Sequence, residues 1–325
     1  MMLVSWREVE FALGMDRRSL LNLGSKALYS YRPFDILKRT GSGRRHIDNP
    51  EGILKNVQQR IYRKFLRRIQ VPDNMIGGVA GKSVKKNALV HVGQPTLVKL
   101  DLRNHFGRID NNQVFEALRR ELGASPTIAG VLTQLTTVQS RLPQGASTSS
   151  MLANLVLLPA HREISKIAAQ AALNYTLFVD DLTLSGPGAR RIIQPVIAIL
   201  QRHGFAIAGN KLQILDSHDR QETTGLVVNC KVALSRDYRE QIRTDVISFS
   251  RLGSISSREF SSLWGRIKYA AFIDPQHGSV LAEFAEEHLP SVITDDIVRS
   301  DESRFVCREP SLHRYRPSRP CESRD

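Results

Sequence analysis

Two adjacent acidic residues, Asp180 and Asp181, stand between two short apolar runs, Leu177-Phe-Val179 and Leu182-Thr-Leu184. This pattern predicts two buried strands joined by a tight turn, with the carboxylates at the turn. Neighbouring carboxylates repel each other and lose solvation when they are covered, so a pair in this position needs cations to neutralise it. An exposed Asp-Asp turn without a function is the alternative.

A third acidic residue, Asp101, lies near the end of the apolar segment 96–102, which is predicted to form a short buried strand. If this strand neighbours the hairpin, three carboxylates converge on one spot. Such oxygen ligands suit Mg²⁺, which binds few protein carboxylates and completes its shell with water and substrate phosphates. Two such ions, for which Mn²⁺ could substitute, can activate an attacking hydroxyl and stabilise a leaving phosphate oxygen. The three acids therefore predict nucleotidyl transfer.

Hydrophobic periodicity and helix start and stop signals predict the elements that position these acids. Residues 1–40 are expected to be helical and irregular, and Gly41-Ser-Gly-Arg-Arg45 is expected to form a turn between two strands. Further helices are predicted at 52–70, 111–122, 126–139, 149–171, 189–203 and through most of 236–290. Further strands are predicted near 205–215 and 224–234. This mixture indicates an α+β fold.

The composition favours a polyanionic partner. The 325 residues include 46 Lys and Arg against 32 Asp and Glu, a net charge of +14, and residues 1–100 alone hold 19 basic and 7 acidic side chains. A hydrophobic content of 41% excludes wholesale disorder. The three cysteines lack C-x-x-C spacing, which argues against a zinc site or a disulfide framework. Without an apolar leader or a long apolar run, we expect no membrane association and a cytoplasmic location.

The helix predicted at 52–70 is amphipathic. Its apolar stripe consists of Val57, Ile61, Phe65 and Ile69. Basic residues occupy much of the remaining surface, among them Arg63, Lys64, Arg67 and Arg68. Such a helix is either an ordinary solvated helix or one that follows a nucleic-acid backbone, and the sequence leaves both interpretations open.

Four segments follow one another along the chain: Lys99-Leu-Asp-Leu-Arg-Asn-His-Phe106, Leu142-Pro-Gln-Gly-Ala-Ser-Thr-Ser-Ser-Met-Leu-Ala-Asn154, Phe178-Val-Asp-Asp181, and Gly204-Phe205 with Lys211. In this order they resemble the motifs of the reverse transcriptases. The resemblance covers about residues 30–270 and is closest to the bacterial retron enzymes. The retron-like elements are Asn87-Ala-Leu-Val-His91, Thr224-Gly-Leu-Val-Val-Asn229, Arg45-His-Ile-Asp-Asn-Pro50 and Leu54-Lys-Asn-Val-Gln-Gln59.

The resemblance implies a right-hand polymerase fold, with an antiparallel palm sheet packed on helices. The implied parts are an N-terminal helical region (1–40), fingers (41–95), a palm with interleaved finger elements (96–235), a helical thumb (236–300) and a flexible tail (301–325). It implies that Asp101, Asp180 and Asp181 hold the metal ions. It also implies that Phe106 excludes the ribonucleotide 2′-OH, that Gln144 contacts the incoming nucleotide, and that Lys211 and Arg45 bind its phosphates. Asn87 and His91 either order the fold or contact RNA.

The implied partners are a structured RNA that serves as template and primer, its DNA product, and dNTPs. A retron enzyme starts DNA from a guanosine 2′-OH, leaves a branched RNA–DNA product and commonly acts with an effector protein in antiphage defence. The acidic stretch 274–302 and the Arg- and Pro-rich tail are candidates for contact with such an effector.

The sequence also departs from the family pattern. Phe178 stands where tyrosine is usual, and Ser147 and Ser150 stand where prolines are common. Ala208 and Leu212 replace the asparagine and threonine that usually flank the lysine of the fourth motif. The alternatives are a group II intron-like or abortive-infection type of reverse transcriptase, and an inactive palm that binds RNA as a scaffold. The intact set of three acids argues against the scaffold, and the short segment after residue 236 argues against an intron enzyme.

Overall fold

The structure, a computed structural model, describes residues 5–37, 43–209, 212–289 and 293–294. Helices and strands are interspersed along the described chain. The helices are α1 (Trp6–Leu13), α2 (Arg17–Ser25), α3 (Gly52–Lys64), α4 (Val84–Leu89), α5 (His105–Arg108), α6 (Asn111–Leu122), α7 (Pro126–Thr136), α8 (Ser149–Gln170), α9 (Ile193–Arg202), α10 (Arg236–Leu252), α11 (Ser257–Ile273) and α12 (Pro275–His288). The strands are β1 (Tyr31–Leu37), β2 (Arg44–Pro50), β3 (Thr96–Asp101), β4 (Asn174–Phe178), β5 (Asp181–Ser185), β6 (Gln213–Asp216), β7 (Glu222–Thr223), β8 (Leu226–Val227), β9 (Ala233–Leu234), β10 (Ile255–Ser256) and β11 (Ile293–Thr294).

A four-stranded antiparallel sheet in the order β4-β5-β3-β6 lies at the centre. Strand β3 pairs with β5 from Leu97 opposite Ser185 to Asp101 opposite Asp181. Because side chains alternate between the faces of a strand, the sheet has an apolar face and a polar face. The apolar face carries Val98, Leu100, Leu177, Leu182 and Leu184, all of them buried. The polar face carries Thr176, Thr183 and Ser185, which are buried, and the acids at the sheet's end.

Helices α6 to α9 share one hydrophobic core with the apolar face of the sheet. The bounds of α6 follow from its sequence: Asp110 and Gln113 form a reciprocal capping box at its start, and Gly123 takes a left-handed φ of 58° at its end. Val114, Leu118 and Leu122 recur on the buried side of this helix. The predictions for 111–122, 149–171 and the strand–turn–strand of 174–185 are confirmed within a residue or two.

The N-terminal region differs from the prediction, because residues 31–37 form a strand. Strand β1 pairs with β2 in an antiparallel hairpin, from Tyr31 opposite Pro50 to Leu37 opposite Arg44. Six of the seven β1 residues are exposed. The strand therefore lacks the alternation between buried and exposed positions from which a strand is predicted. The strand forms by pairing with β2, which is anchored through buried Asp48 and Pro50. Arg45 therefore lies within a strand and not in a turn.

The C-terminal helices build a second hydrophobic core with the small sheet β7-β8-β9. Its members include Leu226, Ile242, Val246, Leu263, Ile267, Leu281 and Ala285. The helical prediction for 236–290 is confirmed, with a break where Gly253 ends α10 and Ser256 caps α11. The strands predicted at 205–215 and 224–234 are shorter than expected, because positive φ angles at Thr224 and Gly225 fold the second run into a tight turn. The tail 301–325 lies outside the described residues.

Among the helices in the described ranges, none combines the length and the apolar character that a membrane span requires. Cys230 is exposed and is not in a disulfide. Cys307 and Cys321 lie outside the described residues.

Candidate functional site

Asp101 and Asp181 face each other at one end of the central sheet. Asp101 is the last residue of β3, Asp181 is the first residue of β5, and the two are directly opposite in the antiparallel register. Phe178 is opposite Asp181 on the other side, at the end of β4. Directly opposed residues place their side chains on the same face of a sheet, so both carboxylates and the Phe178 ring share the polar face. All three side chains are partly exposed.

Asp180 reaches the same place through the turn between β4 and β5. This turn has two residues, Val179 and Asp180, and Val179 takes a left-handed φ of 61°. The carbonyl of Asp180 accepts a hydrogen bond from the backbone N–H of Leu102 at 2.9 Å. The carbonyl of Asp101 accepts one from the N–H of Ala208 at 2.8 Å. The hairpin turn is thereby joined to the end of β3, and the adjacent Asp180 and Asp181 meet the distant Asp101 at one edge of the sheet.

This donor set consists of carboxylate oxygens, which are the ligands that hard divalent cations prefer. The three acids are partly exposed and meet at the same end of the sheet, where a bound divalent cation would reduce the repulsion between their charges. The residues present therefore fit Mg²⁺. The expectation that β3 and the hairpin are neighbours is confirmed.

A different cluster, Asp216, His218 and Asp219, brings possible metal ligands within 4.8 Å of one another. Its carboxylates are already engaged: Asp216 accepts hydrogen bonds from Arg190 and Thr96, and Asp219 accepts one from the backbone of Asp216. The bond from Arg190 is the main reason that the pKa of Asp216 is lowered. Asp216 is opposite Thr96, at the far end of β3 from Asp101. The closeness of these side chains is therefore explained by the turn from Asp216 to Asp219 and by the ion pair between Arg190 and Asp216.

Phe106 lies immediately beyond β3, in the short helix α5. Asn104 precedes this helix with a left-handed φ of 49°. The Phe106 ring is partly buried and lies 5.6 Å from the ring of His105, centroid to centroid. His105 is 3% exposed, and burial lowers its pKa to about 4, so the imidazole is neutral near pH 7. The Phe106 ring thus packs beside a buried, uncharged imidazole, five residues after Asp101 in the chain.

Gln144 is partly buried and lies in the Pro-Gln-Gly turn that precedes α8, against the β1–β2 hairpin. Its carbonyl accepts a hydrogen bond from the N–H of Asp48 at 2.9 Å. A Cβ on Gly145 would lie 2.8 Å from Cγ2 of Ile47, so a larger residue would push the turn and the hairpin apart. Arg45 is exposed and occupies the same face of β2 as Ile47, two residues away.

Asp48 fixes this arrangement with a side chain that the sequence did not single out. It is 4% exposed, and both of its oxygens face the guanidinium of Arg141, at 3.0 and 3.2 Å. This salt bridge combines a hydrogen bond from Nη2 to Oδ1 with an ion-pair contact between Nη1 and Oδ2. It joins β2 to the residue just before Leu142, where the segment resembling the LPQG motif begins. The two residues are 93 positions apart in the chain, so no local sequence pattern predicts their contact.

Asn87 and His91 are completely buried on the polar face of the sheet. The Asn87 amide donates a hydrogen bond to the hydroxyl of Thr223 at 3.1 Å. The two ring nitrogens of His91 lie 2.7 Å from the hydroxyl of Ser185 and 2.8 Å from that of Thr176. Neither side chain is at the surface, so the structure favours the alternative in which both order the fold and gives no support to direct RNA contact.

The basic residues predicted to bind RNA are at the surface. Arg63, Lys64, Arg67 and Arg68 are all exposed, at the end of α3 and in the 3₁₀ turn that follows it. The apolar stripe of the same segment is confirmed, because Val57, Ile61 and Phe65 are buried. Lys211 lies outside the described residues.

The structure has the architecture of a right-hand polymerase. Its palm is an antiparallel sheet that is backed by helices and ends in acidic residues, and a hairpin and a helical C-terminal body lie beside it. The sequence matches the model of the family described as reverse transcriptase (RNA-dependent DNA polymerase) over residues 36–231. The chain belongs to this family.

Its curated relatives include retron reverse transcriptases. The Retron Se72 reverse transcriptase of Salmonella heidelberg (strain 579083-10) is 27% identical over 266 residues, which are 78% of this chain and 70% of that protein. The Retron Mx65 reverse transcriptase of Myxococcus xanthus is 28% identical over 305 residues, 85% and 71% of the two chains. The Retron Ec86 reverse transcriptase of Escherichia coli is 30% identical over 223 residues, 67% and 69%. These relatives place the chain among the retron-type enzymes.

Among solved structures, a telomerase from Candida albicans in complex with an RNA fragment aligns with a TM-score of 0.49 and 10% identity. The alignment covers 78% of this chain and 56% of that one. A foamy viral protease-reverse transcriptase in complex with double-stranded DNA aligns with a TM-score of 0.46 and 16% identity, covering 79% of this chain and 43% of that one.

Proposed function

We propose that this retron-type reverse transcriptase copies a cognate structured RNA into single-stranded DNA by a two-metal mechanism. Asp101, Asp180 and Asp181 would hold two Mg²⁺ ions, for which Mn²⁺ could substitute. When bound, such ions lower the pKa of the attacking hydroxyl and neutralise charge on the leaving phosphate. The observation that carries the proposal is the position of Asp101 directly opposite Asp181, with Asp180 hydrogen-bonded to the residue after Asp101.

The surrounding residues would bind and select the incoming dNTP. The Phe106 ring, supported by His105, would exclude the 2′-OH of a ribonucleotide. Gln144 would contact the nucleotide from the Pro-Gln-Gly turn, and Arg45 would reach its phosphates from the β1–β2 hairpin, since a guanidinium binds phosphate with two donors. Lys211 would neutralise the departing pyrophosphate.

The three lobes are assigned accordingly. The β1–β2 hairpin and α3 would form the fingers, which then begin at Tyr31 because β1 pairs with β2. The central sheet with α6, α8 and α9 would form the palm, and the body of α10 to α12 the thumb. RNA would contact the basic surface of the fingers, which contains Arg63, Lys64, Arg67 and Arg68.

The product would be branched. As a retron-type enzyme, the protein would start synthesis at the 2′-OH of a guanosine in its own RNA and leave DNA joined to that RNA. An effector protein bound to the C-terminal region would connect this product to antiphage defence.

The test is to express the gene together with the DNA upstream of it and to isolate small nucleic acids. A single-stranded DNA of defined length, which is shortened by RNase and released by a debranching enzyme, is the expected product. The same cells expressing Asp180→Asn serve as the control and should lack it. Linear cDNA from any primed template, without a branched species, would contradict the retron-type product while leaving the polymerase activity intact.

A further inference from the structure

A short segment, residues 74–77, lies along the outer edge of β4. The N–H of Leu177 donates to the carbonyl of Asn74 at 2.8 Å, and the N–H of Ile76 donates to the carbonyl of Leu177 at 2.7 Å. Met75 is opposite Leu177 in a short parallel bridge. The outer edge of the acidic hairpin is therefore paired, and the pairing stops where the Val179–Asp180 turn begins.

Gly77 packs directly against this turn. A Cβ at position 77 would overlap the backbone nitrogen of Val179 and would lie 2.6 Å from the carbonyl carbon of Phe178. Gly77 does not have a positive φ, so the close approach and not the backbone angle requires glycine here. Val179 is β-branched and takes a left-handed φ of 61°, a conformation that persists only where the surroundings hold it. Gly77 is one such restraint.

Asn154 holds Gly77 in turn. Its amide nitrogen donates to the carbonyl of Gly77 at 2.7 Å, and the side chain is completely buried. Asn154 lies on α8, which begins at Ser149, with three residues between it and the Pro-Gln-Gly turn. At the other end of the segment, the Lys82 ammonium donates to the carbonyls of Pro72 and Met75 at 3.0 and 3.2 Å. The segment is thus restrained at both ends.

We propose that Gly77 and Asn154 are positioning residues, which set the location of Asp180 relative to Asp101 by holding the Val179–Asp180 turn. They would also couple the nucleotide-binding turn, through α8, to the acidic edge. This inference rests on the proposed function of the three acids. Neither residue would touch the substrate, so their substitution should change turnover more than binding.

The first test is Gly77→Ala in the full-length protein with primed RNA template, dNTPs and Mg²⁺. We expect kcat to fall by about 10²-fold, as for a displacement of a catalytic group by roughly 1 Å. The KM for dNTP and the affinity for RNA should stay within about twofold of wild type, because the sites that bind them are unaltered. Amide hydrogen exchange in the 174–185 hairpin should accelerate. Gly130→Ala is the matched control: a Cβ there meets no atom within 4 Å, and activity and exchange should match wild type.

The second test compares two substitutions of Asn154. Asn154→Leu removes the donor to Gly77 at similar volume and should reproduce the loss of kcat and the faster exchange. Asn154→Gln keeps an amide donor and should recover part of both. If Gly77→Ala does not fold, the comparison of Asn154→Leu with Asn154→Gln tests the positioning role by itself. Wild-type kcat in Asn154→Leu, or a loss of kcat with unchanged hairpin exchange, would overturn the positioning role. An active Asp180→Asn variant would instead overturn the assignment of the metal ligands, so the two failures are distinguishable.

Discussion

The amide of Asn87 donates a hydrogen bond to the hydroxyl of Thr223, which lies 3.0 Å from the hydroxyl of Thr183 in the central sheet. Asn87 belongs to the first retron-like element, and Thr223 directly precedes the second. Thr183 is two residues after Asp181 on the same face of β5. The two elements therefore meet beneath the acidic edge, in a completely buried chain of polar groups.

We expect Asn87→Ala and Thr223→Val each to lower the free energy of unfolding by roughly 1–3 kcal/mol, because each leaves a buried polar group without its partner. The double variant should lose less free energy of unfolding than the two single variants lose in sum. Urea unfolding followed by circular dichroism measures all three variants. Exposed Asn22→Ala is the control and should be close to wild type. Normal stability of Asn87→Ala combined with weaker RNA binding would indicate RNA contact instead.

Asp101→Asn and Asp180→Asn should each abolish DNA synthesis while leaving RNA affinity and thermal stability near wild type. The substitution removes a charge that the metal site needs and keeps the side-chain volume. A loss of several kcal/mol in transition-state stabilisation corresponds to roughly 10³-fold or more in rate. Primer extension with dNTPs and Mg²⁺ measures the effect. Asp216→Asn, in the other acidic cluster, should remain active, and equal loss in that variant would contradict the choice of site.

Phe106→Val should increase the use of rNTPs relative to dNTPs. The smaller side chain opens space where the 2′-OH would otherwise clash. A change of this size in a pocket is worth roughly 10- to 100-fold in relative kcat/KM. Single-nucleotide insertion kinetics with both substrates provide the measurement, and the same substitution at Phe115 on α6 provides the control. Unchanged discrimination would make Phe106 an ordinary core residue.

The acidic hairpin could be predicted because its signals are local. Asp180 and Asp181 are flanked by apolar runs, and alternation between Leu182, Thr183 and Leu184 fixes which face each residue occupies. The capped helix 111–122 was predictable for the same reason.

What the sequence did not reveal depends on pairing between distant segments. Strand β1 exists through its partner β2, although nearly all of its own side chains are exposed. The hydrogen bond between Asn87 and Thr223 spans 136 residues, and that between Asn154 and Gly77 spans 77. Asparagine, glycine and threonine in these positions carry no periodic signal, so only the folded chain identifies their partners.

RNA affinity should fall steeply with salt concentration, because basic side chains displace counterions from phosphates. Replacing Arg63, Lys64, Arg67 and Arg68 with glutamine should make the slope of log K against log salt less negative by roughly 3 units, since each phosphate contact contributes about 0.7–0.9. Fluorescence anisotropy with the upstream RNA over a series of salt concentrations measures the slope. The control replaces four other exposed residues, Arg119, Arg162, Lys166 and Arg191. If the two variants had equal slopes of log K against log salt, the RNA would not bind at the surface formed by Arg63, Lys64, Arg67 and Arg68.

Three buried histidines should make the fold sensitive to mild acid. Burial lowers the pKa values of His91, His105 and His161 to about 4. The unfolded chain, in which histidine titrates near 6.5, therefore binds more protons than the folded chain between about pH 6.5 and pH 4. Stability is then fully present above this window and is lost as the pH falls through it.

His91 allows this effect to be isolated, because its ring contacts two hydroxyls and burial is the cause of its lowered pKa. His91→Gln should reduce the loss of unfolding free energy between pH 7 and pH 4.5 by on the order of 1–3 kcal/mol, since each unit of pKa shift corresponds to about 1.4 kcal/mol. Urea unfolding at the two pH values gives the difference for each protein. His218→Gln, at an exposed site, should lose as much stability as wild type. If His91→Gln also loses as much as wild type, His91 does not couple protonation to unfolding.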